Sequence, residues 1–131
     1  MPGLQRSGMM PTRGLAIVIA EANHARLHAA LTLACAAAAL GRPVRLFFHG
    51  EAVAGLRTGH HWQGDATYAA AGLPAIADLV ESAVALGVKI MACQSGLQLL
   101  KLAPEVLIEG VEAAGMVAFL ADARDDELIL G

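Results

Sequence analysis

The sequence predicts an α/β fold, a three-layer α/β/α sandwich around a mainly parallel five-stranded sheet. Three observations carry this. Short apolar runs rich in branched residues alternate with helix-length segments, crossovers of that length make neighbouring strands parallel, and the first run, Leu15–Ala20, is apolar without interruption. A strand of that last kind is buried on both faces. The right-handed crossover rule leaves few arrangements, and a flavodoxin-like strand order 2-1-3-4-5 is the expected one.

The elements follow in order. Asn23 offers an N-cap after the first strand, and a helix runs to Leu40 with Gly41 as its stop. Pro43 introduces a second strand, Val44–Phe48. Pro74 opens a helix carrying Ile76, Leu79, Val80 and Ala83, which Gly87 ends. Val88–Ala92 is the third strand, followed by a short helix from about Gln94 to Leu102. A further helix starts at Pro104 and ends at Gly115, Met116–Leu120 is read as the fourth strand, and Glu127–Leu130 as a short fifth. Residues 1–13 read as a flexible lead-in and 14–131 as one domain, the number that 131 residues accommodate.

Composition removes several functional classes. Hydrophobic residues make up 56% of the chain and charged residues 16%, which excludes a disordered tail. A formal charge of −3 is no phosphate-tracking surface, so nucleic acid is not an expected partner. The longest apolar stretch of the first half without charge or histidine, Ala29–Gly41, falls short of the roughly 18 to 20 residues that a membrane span needs. Two cysteines, Cys35 and Cys93, make no disulfide framework, and a reducing cytoplasmic compartment is expected.

Two segments depart from a plain sandwich. The first helix is apolar all round from Leu33 to Leu40, which predicts burial between subunits and hence a homo-oligomer. His49–Gly72 is a long connection with glycines at 50, 55, 59, 64 and 72 and the sole tryptophan, Trp62. Connections of that length serve as lids or binding loops, or else are disordered insertions. A short helix is expected within it at Glu51–Leu56.

Cys93 is the candidate for chemistry. It follows the third strand directly and precedes a helix start, where unpaired amides and the helix dipole favour thiolate over thiol. There the sulfur is expected to be exposed and ionised. Gln94, Ser95 and Gly96 add donors and a small backbone profile beside it. Glu21, Asn23 and His24, in the loop after the first strand, and His49, at the end of the second, are supporting candidates for binding substrate or accepting a proton. Cys35, inside the alanine run, reads as a small buried hydrophobe. His60-His61 and the pair His24 and His28 lack the further ligands of a zinc site, so no metal is expected. No phosphate-binding glycine motif occurs, and Glu21 stands where a flavin phosphate would lie, so no cofactor is expected either.

These residues together resemble a known group. The strand Leu15–Ala20, the helix with Ala-Arg-Leu-His-Ala-Ala-Leu and "ALGRPVRLFFHGEAV" are similar to the opening of the DsrE/DsrF/TusD-like sulfur-relay proteins. "LGVKIMACQSGLQLL" resembles that family's third strand and its reactive cysteine, and "GVEAAGMVAFL" its closing helix and strand. The likeness spans residues 14 to 122. It implies trimers or hexamers and a cysteine, here Cys93, that accepts a persulfide sulfur from a donor protein and passes it to an acceptor. The function expected is thus a persulfide carrier or sulfurtransferase. Two alternatives stand beside it: a small-ligand-binding or regulatory oligomeric module without catalysis, and an oligomer whose cysteine is inert.

Overall fold

A computed structural model describes residues 13–131. All but Arg13 of the expected lead-in, residues 1–13, lies outside them. The elements are β1 (Leu15–Ile19), α1 (His24–Ala39), β2 (Val44–Phe48), a 3-10 helix (Gly50–Leu56), α2 (Gly64–Ala70), α3 (Ile76–Ala85), β3 (Lys89–Cys93), α4 (Gln94–Leu100), a second 3-10 turn (Pro104–Val106), β4 (Val111–Ala114), α5 (Met116–Asp122) and β5 (Glu127–Leu130).

The class is the one expected: five parallel strands with helices on both sides. The strand order is β4-β3-β2-β1-β5, in place of the expected 2-1-3-4-5. The reason lies in the crossovers. From β1 to β4 each strand is laid down next to its predecessor on the same side, so α1 and α3 share one face of the sheet and pack against each other. Only the last connection turns back. It carries α5 across the opposite face and sets β5 beside β1, where the Glu127 amide donates to Gly14 O at 2.8 Å. Handedness alone does not choose between these orders, because each uses right-handed crossovers.

One strand assignment is corrected. Met116–Leu120 is not the fourth strand but the body of α5, and β4 is Val111–Ala114, within the segment read as a helix from Pro104 to Gly115. A five-residue apolar run fits a strand and a buried helical turn equally well. Phe119 decides the matter: it is fully buried, its ring 4.7 Å from that of Phe47, while Val117 is 84% exposed. One inward residue per helical turn satisfies this packing, whereas a strand would bury or expose alternate residues. The true β4 is a sheet edge with Glu112 and Ala113 exposed, so it shows little apolar signal.

Elsewhere local chemistry holds. Asn23 caps α1, its Oδ1 accepting from the Arg26 amide at 2.9 Å. Gly87, at φ 87°, turns the chain after α3 as a residue with a Cβ rarely does. Strand alternation and the β1–β2–β3 register put Arg45, Phe47, Lys89, Met91 and Cys93 on the α5 side. Arg45 is paired with Asp126 at 2.6 Å and Lys89 with Asp122 at 2.8 Å, and these contacts tie the α5 crossover down. No helix among the described residues is long and apolar enough to cross a membrane.

α5 is too short to cover its face. A seven-residue helix is about 10 Å long, while five strands span about 19 Å. Leu128 and Leu130, on β5, are left 58% and 78% exposed on that side. The first helix is likewise half-covered: Leu31, Ala34 and Ala37 are buried, but Leu33 and Leu40 are exposed.

Candidate functional site

The site forms at the carboxyl edge of β2 and β3. Register pairs Phe48 with Ala92, so the next residues, His49 and Cys93, stand side by side on the α5 face of the sheet. The His49 amide donates to Ile19 O at 2.8 Å, which keeps the end of β2 in line with β1. Gly50, at φ 60°, then turns the chain into the 3-10 helix. That helix lies over α4 at very close range. A Cβ on Gly96 would sit 2.6 Å from Val53 Cγ2 and 2.7 Å from Gly50 O, so only glycine lets the two backbones approach.

The sulfur departs from expectation: Cys93 is 3% exposed, not open to solvent. Its surroundings are nevertheless polar. Cys93 is itself the N-cap residue of α4, and its Sγ lies 2.8 Å from Ser95 Oγ. Ser95 and Gln94 are exposed, so the sulfur sits one layer beneath a polar rim.

Opposing effects set the state of the thiol. Burial pushes it up and is the largest single influence. The Ser95 hydroxyl, the Gly96 amide, the His49 ring and the Ser95 amide each favour the thiolate, and together they prevail, bringing the Cys93 pKa down to about 7. Near neutral pH the sulfur is therefore divided between thiol and thiolate. Cys35 behaves oppositely. Its Sγ rests 3.8 Å from Leu79 O between α1 and α3, and burial alone raises its pKa.

His49 is held by its own stack. Its ring lies over Phe47, with centroids 6.4 Å apart and planes 21° apart, and Phe47 in turn stacks on Phe119. Its Nδ1 is buried and has no hydrogen-bond partner.

The loop after β1 belongs elsewhere. Because β2 lies between β1 and β3, Glu21, Asn23 and His24 start about 10 Å, two strand spacings, from Cys93. The order 2-1-3-4-5 would have made those loops neighbours. Glu21 is a surface residue, its carboxylate 4.0 Å from Arg26 Nε, and Asn23 is engaged as a cap. His24 donates from Nε2 to Asp65 Oδ1 at 2.8 Å, and the same oxygen accepts from the Ile76 amide at 3.1 Å. With His28, Trp62 and Tyr68 it forms an aromatic cluster that fastens the long connection onto α1. Trp62 is 8% exposed and packs against Gly55, so the tryptophan of the long connection is part of the core.

Of the residues proposed from sequence, Cys93, His49, Ser95 and Gly96 thus converge, Gln94 joins the rim, and Glu21, Asn23 and His24 do not. Sequence reasoning missed Gly50 and Val53, which pack the 3-10 helix on Gly96, and Phe47 and Phe119, which hold the histidine. The His-Gly step after a strand was a visible turn signal, but only the fold shows what it packs against. Among the described residues no three His, Cys, Asp or Glu side chains gather to hold a metal ion. A cleft of about 550 Å³ between α3 and the 108–109 segment, lined in part by Thr58, Glu81 and Ile108, does not include Cys93.

Residues 14–129 match the model of the DsrE/DsrF-like family. No protein with a curated description matches the chain. Among solved structures, the YchN protein of E. coli is similar at 24% identity and a TM-score of 0.72, covering 91% of this chain and 98% of that one. MTH1491 of Methanobacterium thermoautotrophicum, described as a protein of unknown function, is similar at 15% identity and a TM-score of 0.72, covering 91% and 99%. At these identities the two structures attest to the fold.

Alkylation of Cys93 should rise with pH through a midpoint near 7, since only the thiolate reacts. Ser95→Ala should move that midpoint upward by about one pH unit, the worth of one hydrogen bond to a charged group. Rates of each thiol, resolved by peptide mass, check this. Equal titration of Cys35 and Cys93, or an unmoved midpoint in the variant, contradicts it.

Proposed function

The chain belongs to the DsrE/DsrF-like family, and on that premise we propose that it is a sulfur carrier that holds a persulfide on Cys93. The single observation supporting this most strongly is that the buried Cys93 Sγ lies 2.8 Å from Ser95 Oγ at the start of α4, where hydroxyl and amides favour its anion. Burial without such donors gives an inert thiol, as at Cys35. A nucleophile that must also act as leaving group needs its anion stabilised at both stages, and the Ser95 and Gly96 amides do this in each.

Burial has a consequence for chemistry. A persulfide exposed to water and free thiols is lost by exchange, whereas one on the buried Cys93 is shielded. Delivery then goes through the rim at Gln94 and Ser95, and the donor and acceptor present a small sulfur-bearing group there.

The proposed carrier is a homo-oligomer, trimeric or hexameric. Leu128 and Leu130 on the sheet and Val117 and Leu120 on α5 form an apolar surface that α5 leaves uncovered. A second copy supplies the missing layer. Leu130→Asp should lower the sedimenting mass to that of a monomer without loss of secondary structure, and an unchanged mass would remove this surface from the interface.

The test of the carrier reading is uptake of labelled sulfane sulfur from a hydropersulfide donor. Cys93→Ser should abolish protein-bound label, and Cys35→Ser should keep it within about twofold of the parent, as a non-participating thiol does. Equal labelling of Cys93→Ser and the parent protein would overturn the reading.

A further inference from the structure

We propose that His49 is the proton carrier of this site, exchanging one proton with the donor or acceptor thiol in each half of sulfur transfer. The inference rests on the reading of Cys93 as sulfur acceptor. Three independent features of geometry lead to it.

The first is place. His49 follows directly on the last β2–β3 pair, Phe48 with Ala92, as Cys93 does on the other strand, and its amide is still held by Ile19 O of β1. The second is rigidity. The column Phe119–Phe47–His49 fixes the imidazole plane, with 22° and 21° between successive rings. The third is an unspent hydrogen-bonding group. Nδ1 is buried and unpartnered, although buried polar atoms in folded proteins are nearly always paired. A histidine kept only for packing would leave that nitrogen as an uncompensated cost, and a phenylalanine would fill the stack without it.

The other ionisable groups near this face are committed or remote. Arg45 and Lys89 are bound to Asp126 and Asp122 at the opposite ends of the same strands. Glu51 on the 3-10 helix and Glu112 on β4 are exposed. Among these ionisable groups His49 is the one that stands beside Cys93, at the end of the neighbouring strand.

In the loading step the Cys93 thiolate attacks the outer sulfur of a hydropersulfide R–S–SH. The bond from Sγ to that sulfur forms, the donor S–S bond breaks, and its electron pair leaves on the donor sulfur. The His49 imidazolium gives its proton to that sulfur, so the products are Cys93–S–SH, R–SH and neutral imidazole. In the discharge step an acceptor thiol A–SH gives its proton to His49 and attacks the outer sulfur. The pair of the broken S–S bond returns to Sγ, leaving A–S–SH, the Cys93 thiolate and imidazolium. Atoms and charge balance over the cycle, no outside oxidant or reductant is consumed, and the proton taken from His49 on loading is returned on discharge.

The experiment follows loading from glutathione hydropersulfide, and discharge to dithiothreitol, against pH. It compares the full chain with His49→Gln and His49→Asn, all three carrying Cys35→Ala so that one thiol reports. Loading at neutral pH should fall about 10²-fold in both variants, with the histidine-dependent limb of the pH profile gone. A rate and profile equal to the parent's overturn the proposal, and so does a fall in rate that leaves the shape of the profile intact, since that is a packing effect. If the parent itself does not load, the Cys93 reading fails and this one with it. Circular dichroism establishes that the variants fold. Should neither fold, the imidazole resonances of His49 in the parent decide: their titration should change on Cys93→Ser, and an identical titration overturns the proposal.

Discussion

The structure turns on the placement of β2 between β1 and β3. Parallel pairing on both sides of β2 brings the residue that ends it, His49, beside the residue that ends β3, Cys93. Everything else at the site adapts to that adjacency. Gly50, at φ 60°, turns the chain out of β2, and the departing segment then lies on α4, which Gly96 permits by having no Cβ. Below, the Phe47 and Phe119 rings fill the space under the imidazole. A backbone register and two aromatic rings thus set a buried sulfur beside a histidine.

Competing energies explain why burial and reactivity coexist. Taking a thiolate out of water is costly, and at Cys35 that cost stands alone. At Cys93 it is opposed by a hydroxyl, two amides at a helix start and an imidazole, and the opposition wins. One hydrogen bond to a charged group contributes about 1.5–3 kcal/mol, and here the cost of burial must be offset as well. The site therefore depends on several donors converging, which is why its geometry is built on strand ends and a helix start and not on a mobile loop.

Much of the fold was legible, for reasons that can be named. β1 is buried along its length, so its apolar run is unbroken, and β2 and β3 carry only Arg45 and Lys89 among apolar residues, while Asn23, Gly41, Pro74 and Gly87 punctuate the helices by local chemistry. Cys93 was legible as a strand-to-helix junction. The failures share a cause, which is that the deciding contacts are distant in sequence. Phe119 is helical because Phe47 is there to receive one side chain per turn, and the pale strand Val111–Ala114 owes its existence to pairing with β3. Strand order fell to the same cause, and with it the choice of neighbours for Cys93: Glu21 and His24 were placed beside it, while the true neighbour, His49, was one candidate among several. Trp62 and its histidines looked like a binding loop because polar aromatics at a glycine-rich segment carry no mark of the helix they will pack on.

The most direct measurement is the mass of the peptides of the unaltered protein after incubation with a hydropersulfide donor and trapping of free thiols. The account predicts one added sulfur on the peptide bearing Cys93 and none on that bearing Cys35. An unmodified Cys93 peptide, or sulfur found on Cys35 instead, would contradict it.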